Sequence, residues 1–153
     1  MRLTPFDRAT AENLCATIDE HVTIRFVAVL GDQRADPHII GYTILTRDTA
    51  ESDRERYGDR IRADACGAIA PVIADAYQNQ GIGTQMARHV MGCASKMGLQ
   101  QVILMGGVLA SNARAIRFYE KLGFQRAGEF WTDEARKRLC YDMILGFLDD
   151  ATV

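Results

Sequence analysis

Val72-Ile73-Ala74-Asp75-Ala76-Tyr77-Gln78-Asn79-Gln80-Gly81-Ile82-Gly83-Thr84 is the stretch on which the fold turns. Before it runs Cys66 to Ile73 (CGAIAPVI), a β-rich apolar segment. After it, Ile82, Met86, Val90, Cys93 and Met97 recur at spacings of three or four, which predicts an amphipathic helix stopped by Gly98. Glycines where a strand becomes a helix let an anion approach the unpaired N–H groups at the positive end of the helix dipole. The stretch therefore predicts a phosphate cradle. A dinucleotide loop would need a small residue where Met86 stands, and a triphosphate loop would need a lysine before Thr84. Both are disfavoured.

Reading outward, Thr4 to Glu20 predicts a helix, and Thr23 to Leu30 and Ile39 to Thr46 predict a hairpin around Gly31-Asp32. The charged stretch Arg47 to Asp64 reads as a solvated loop or a short exposed helix. Pro71 cannot donate to a ladder, so one side of its strand is expected to be open. Val102 to Val108 predicts a fourth strand, and Gly106-Gly107 within it marks a bulge or a close approach. Ser111 or Asn112 caps a helix through Leu122, with Gly123 as its stop. Gln125 to Trp131 and Leu139 to Phe147 form a last hairpin. The order predicts one α/β (α+β) domain over residues 1–153, a mixed sheet with helices on its faces.

Composition narrows the function. A net charge of -2 gives no basic footprint, so nucleic acid is not an expected partner. The longest uncharged apolar run, Val102 to Ala110, is far short of a membrane span, and Met1 to Thr10 carries no leader-like core. Cys15, Cys66, Cys93 and Cys140 are scattered, as are His21, His38 and His89; no metal site is expected, and free thiols point to the cytoplasm.

Gln78, Gly81 and Gly83 resemble, position for position, the acyl-CoA loop of the GNAT superfamily of N-acetyltransferases. Asn112-Ala113-Arg114-Ala115-Ile116-Arg117-Phe118-Tyr119-Glu120-Lys121-Leu122-Gly123-Phe124 resembles that superfamily's second recurring element. The resemblance spans Thr23 to Phe147 and implies a mostly antiparallel sheet splayed between two central strands. It implies acetyl-CoA as cosubstrate: the pantetheine arm beside Val72 and Ile73, the pyrophosphate on N–H groups from Gln80 through Gly81, Ile82 and Gly83 to Thr84, and an arm amide on Asn112. Tyr119 would sit near the sulfur as general acid.

The implied reaction is direct attack of a primary amine, of a small molecule or a protein, on the thioester. A lysine-like amine is neutral in only about one molecule in a few thousand at pH 7, so a base or a desolvating pocket must help. Many relatives use a glutamate on the third strand, but Cys66 to Ile73 holds no acid; Asp64, Asp75 and Glu129 are the candidates by sequence. Relatives usually carry an extra strand and two helices before the hairpin, where only about twenty residues precede Thr23 here. Part of the acceptor pocket is then expected to be absent or supplied by another subunit, a homodimer being frequent in such folds. A weaker likeness, from Arg25 to Leu45 and in Gly107-Val108-Leu109, is to bacterial protein lysine acetyltransferase domains. The alternatives are a catalytically weak acyl-CoA-binding module and a fold remnant with a degraded pocket.

Overall fold

The computed structural model describes residues 22–31, 38–132 and 137–147. The helix expected over Thr4 to Glu20 lies outside them, with Cys15 and His21. Strands β1 (Thr23–Leu30) and β2 (His38–Thr46) pair antiparallel, with a bulge between Ala28 and Val29. A helix, α1 (Glu51–Tyr57), and a 3-10 turn, Gly58–Arg60, follow. Strand β3 (Cys66–Ile73) returns antiparallel to β2, and helix α2 (Ile82–Lys96) carries the chain to β4 (Gln101–Leu104), which runs parallel to β3. A crossover helix is what a parallel neighbour requires. Strand β5 (Val108–Leu109), helix α3 (Ala113–Lys121) and the hairpin of β6 (Gln125–Trp131) and β7 (Leu139–Gly146) complete the molecule. β7 pairs antiparallel with β4 at Gln101–Ile103 and with β5 at Val108–Leu109, giving one mixed seven-stranded sheet.

Two expectations need correcting. The predicted strand from Val102 to Val108 is broken into β4 and β5, because Gly106 and Gly107 adopt φ of 66° and 69°. A β-carbon on Gly107 would come within 2.8 Å of both a Phe130 ring carbon and the Tyr141 carbonyl oxygen, so this turn has room only for glycine. The charged stretch Arg47 to Asp64 is not simply solvated. Its helix α1 buries Asp53 and Tyr57, and the Tyr57 hydroxyl donates to the Met143 carbonyl at 2.9 Å. The many charges of that helix hide its two inward positions.

Helices occupy both faces. Leu45, Ile69, Val90, Leu104, Phe124 and Met143 form the larger core under α2 and α3. Tyr57, Ile61, Cys66, Ala68 and Ile103 form a smaller one beneath α1. Burial pushes the Cys66 thiol up to about 12, so it is a packing group and not a nucleophile.

Candidate active site

Pairing between β3 and β4 ends at Ile69 opposite Leu104, with Met105 N–H donating to the Ile69 carbonyl at 2.9 Å. Beyond it the chain turns away through Gly106-Gly107, and the sheet opens. Polar backbone groups alternate sides along a strand. Ile69 bonds toward β4, whereas Ala74 N–H bonds across to Ile40 on the β2 side at 2.9 Å. Pro71 and Ile73 therefore aim their backbone groups into the gap, and Val72 spends its own on β2. Pro71 brings no N–H, and the Ile73 carbonyl is taken by Gln78 Nε2 at 2.8 Å. The N–H of Ile73 is the donor that this edge presents. Val72 contributes its exposed side chain instead.

The gap leads into a cavity of ≈ 920 Å³ lined by β3, the following loop and α3. Val72, Ile73, Gln78, Gly81, Gly83, Thr84, Asn112 and Tyr119, the residues singled out in the sequence, share its wall. Gln80 and Ile82 do not line it; Gln80 Nε2 donates to the Ala76 carbonyl at 3.0 Å and Ile82 opens α2 half-buried. Gly81 caps α2 with φ 82° and no side-chain cap hydrogen bond, so the first-turn N–H groups of Ile82, Gly83 and Thr84 remain free donors. A β-carbon on Gly83 would lie 3.6 Å from the Phe118 ring, which places α3 directly against this loop. Gln78 braces the loop from within, its Nε2 also donating to Asp75 Oδ1 at 2.8 Å.

On α3, Asn112 is the cap: its Oδ1 accepts from Ala115 N–H at 3.1 Å. Tyr119 packs edge-on against Phe118 and Phe124, with ring centroids at 5.1 and 5.6 Å. Burial pushes its phenol up to about 12, which keeps it protonated at neutral pH. Of the candidate bases, none lines the cavity among the described residues. Asp64 pairs with Arg62 at 3.3 Å, Asp75 serves Gln78, and Glu129 pairs with Arg126.

Sequence reasoning missed a buried ion cluster on the opposite face. Arg56 reaches both Asp142 oxygens from Nε at 3.2 and 3.3 Å, bonds Asp53, and stacks 4.0 Å from the Phe130 ring centroid. Phe130 is the ring that confines Gly107, so the cluster buttresses the turn that opens the sheet. Burial raises the Asp142 carboxyl above the ordinary range against the pull of Arg56. The signal was available: Cys140, Asp142 and Ile144 alternate on one face of β7.

A model of the acetyltransferase (GNAT) family matches residues 4–124. N-alpha-acetyltransferase 50 of Danio rerio is 36% identical over 73 residues, 48% of this chain and 40% of that protein's length. Thus the match spans well under half of that relative. Among solved structures, the spermidine N-acetyltransferase of Vibrio cholerae in complex with CoA and spermine superposes with a TM-score of 0.68 at 19% identity, covering 94% of this chain and 78% of that one. The ribosomal-protein-S18-alanine N-acetyltransferase of Escherichia coli gives 0.62 at 19% identity, covering 99% and 85%.

Proposed function

The chain belongs to the acetyltransferase (GNAT) family, and from that premise we propose that it transfers the acetyl group of acetyl-CoA to a primary amine of a small molecule or a protein by direct attack. One observation carries the reading: the open edge of β3, the uncapped N-terminus of α2 and the Tyr119 phenol all face a single cavity. The free N–H groups after Gly81 are disposed to take the diphosphate, and the gap beside Pro71 and Ile73 to take the pantetheine arm. As the amine attacks, charge develops on the thioester oxygen, and the Ile73 N–H is a backbone donor suited to hold it. The departing thiolate takes the Tyr119 proton, and the proton shed by the attacking nitrogen restores the phenol. Burial that raises the phenol also destabilises a bare thiolate in the same cavity, so the transfer is matched. The acceptor must arrive neutral or be made so by desolvation, since no described carboxylate or imidazole lines the cavity. That observation also favours a second reading, a catalytically weak acyl-CoA-binding module.

The free Cys66, Cys93 and Cys140 support a cytoplasmic location, and a homodimer is the proposed assembly. A thiol-release assay with acetyl-CoA against small amines, lysine peptides and peptides with free N-termini tests the reading, run on the wild type and on Tyr119→Phe. Turnover that falls tenfold or more in the variant supports the transferase. Binding of acetyl-CoA with no acceptor consumed supports the binding module.

A further inference from the structure

Strand β7 has two successive neighbours along one edge. Its residues Ile144 to Gly146 pair with β4, and Cys140 and Tyr141 pair with β5. Between those stretches stand Asp142 and Met143, which have no register partner in either strand. On the other edge the same two residues face the bulge of β6 at Ala127, where the ladder is also interrupted. The span is thus weakly paired on both sides. The segment from α1 into the 3-10 turn supplies what the ladders do not. Arg56 forks onto the Asp142 carboxylate, its Nη2 meeting Oδ1 at 3.2 Å beside the Nε contacts. Next in sequence, the Tyr57 hydroxyl donates to the Met143 carbonyl at 2.9 Å, and Arg60 Nη1 donates to the carbonyl of the bulged Ala127. Three side chains of one short segment grip one weak span.

That span sits where the two walls of the cavity part. One wall is β3 with the loop into α2, which holds the N–H cradle. The other is β5, whose Val108 and Leu109 line the cavity and whose chain runs on to Asn112 and Tyr119. This second wall hangs on Cys140 and Tyr141, immediately before Asp142. Phe130 closes the path, since Arg56 stacks on its ring and the ring confines Gly107. Arg56, Tyr57 and Arg60 do not themselves line the cavity. Resting on the acetyl-transfer reading above, we propose that these three are positioning residues for the reaction. They fix the angle at which β5 leaves the break, and with it the distance from Tyr119 to the open edge of β3. A misplacement of about 1 Å caused far from the chemistry can cost about a hundredfold in rate. The donor's diphosphate, by contrast, rests on the wall that they do not touch. The brace therefore acts on kcat and leaves affinity for the donor nearly unchanged.

Steady-state kinetics, acetyl-CoA titration and amide hydrogen exchange on the full chain test this. The wild type is compared with Arg56→Gln, with the milder Tyr57→Phe, which carries the test if the first does not fold, and with a control, Glu55→Gln, on the exposed side of α1. At a temperature where each protein is folded, kcat should fall about tenfold or more in Arg56→Gln and by less in Tyr57→Phe, with affinity for acetyl-CoA within about threefold of the wild type. The Gly107 and Ala110 amides, bonded to the Leu104 and Leu139 carbonyls at 3.2 and 2.9 Å, should exchange about fivefold faster or more relative to those of Val90 and Met91 in α2. The control should match the wild type in all three. Unchanged kcat and unchanged relative exchange in the variants overturn the proposal. So does a fall in kcat matched by an equal loss of affinity and uniformly faster exchange, which marks a general loosening of the fold. A wild type that acetylates no amine overturns the transferase reading instead, and the brace then stands or falls on the relative exchange at Gly107 and Ala110.

Discussion

Asn112 uses its side-chain oxygen to hold its own helix, accepting from Ala115 N–H at 3.1 Å, and leaves the amide nitrogen for the cavity. Those two roles can be separated by substitution. Asn112→Asp keeps an acceptor for the cap and loses the donor, whereas Asn112→Ala loses both. The alanine variant should be less stable by about 1 kcal/mol, the usual worth of a cap, and the aspartate variant should melt like the wild type or slightly above it. Both should bind acetyl-CoA about tenfold more weakly if one hydrogen bond to the arm is lost. An aspartate variant that titrates with acetyl-CoA as the wild type does would show that the amide nitrogen makes no contact with the donor.

The two loop glycines should respond oppositely to alanine. Gly81 sits at φ 82°, so Gly81→Ala forces a left-handed backbone on an L-residue and should cost about 1 to 2 kcal/mol. Gly83 has no such φ, and its added methyl meets ordinary contacts at 3.5 to 3.7 Å from Ile73 and Phe118. Gly83→Ala inside the first turn of α2 should leave stability unchanged or raise it by up to about 1 kcal/mol. It should nevertheless weaken acetyl-CoA binding, because the methyl stands where a phosphate oxygen would approach the backbone. Melting curves and nucleotide titrations on the pair give the crossover; a Gly83→Ala protein with undiminished affinity would place the diphosphate elsewhere.

Tyr119 makes a statement about pH. Its phenol, pushed up to about 12 by burial, stays protonated through any practical assay range. Tyr119→Phe should therefore lower kcat by about tenfold or more without changing the shape of the pH profile, because the lost group does not titrate there. The folded-state value exceeds the ordinary value near 10, so its contribution to stability is fully present below pH 10 and is lost as pH rises toward 12. Alkaline unfolding should consequently begin at higher pH in the phenylalanine variant. An alkaline limb in kcat below pH 10 that vanishes in Tyr119→Phe would contradict the burial argument.

The strand-to-helix loop and the capped α3 helix were legible because each rests on local chemistry: Gly81 where the backbone goes left-handed, Asn112 where the cap must accept. The open edge was also announced, by Pro71. Which backbone groups face the gap was not legible, because that depends on register. Pairing Tyr42 with Val72 commits Val72 to β2 and turns Ile73 outward, a choice that one residue of slippage would invert. The break in Val102 to Val108 escaped for a similar reason. Two adjacent glycines permit a bulged strand or a turn, and the Phe130 ring, more than twenty residues away in sequence, decides between them. Arg56, finally, sits in so charged a stretch that its burial is decided by distant partners, Phe130 on β6 and Asp142 on β7.

That cluster gives the last prediction. Arg56 holds two nearly inaccessible carboxylates, Asp53 at 2% and Asp142 at 3% exposure, and is itself shielded beneath Phe130. Arg56→Gln removes the guanidinium bonded to both acids and leaves Asp142 only the nearby charge of Arg60, and removing one partner of a buried ion pair typically costs about 3 to 5 kcal/mol. Asp142→Asn should cost less, since Arg56 still has Asp53 and the amide still bonds. The pH dependence separates a charge effect from a packing effect. Burial already raises the Asp142 carboxyl above its unfolded value, so its contribution to stability is present below that value and lost as pH rises through the folded one. Without Arg56 the rise must be larger. The Arg56→Gln protein should thus regain part of its lost melting temperature when pH is lowered from 7 toward 5, while the wild type changes little. A deficit that stays constant with pH would mean that Arg56 acts through its packing on Phe130 alone, and would detach the Gly107 turn from the ion cluster.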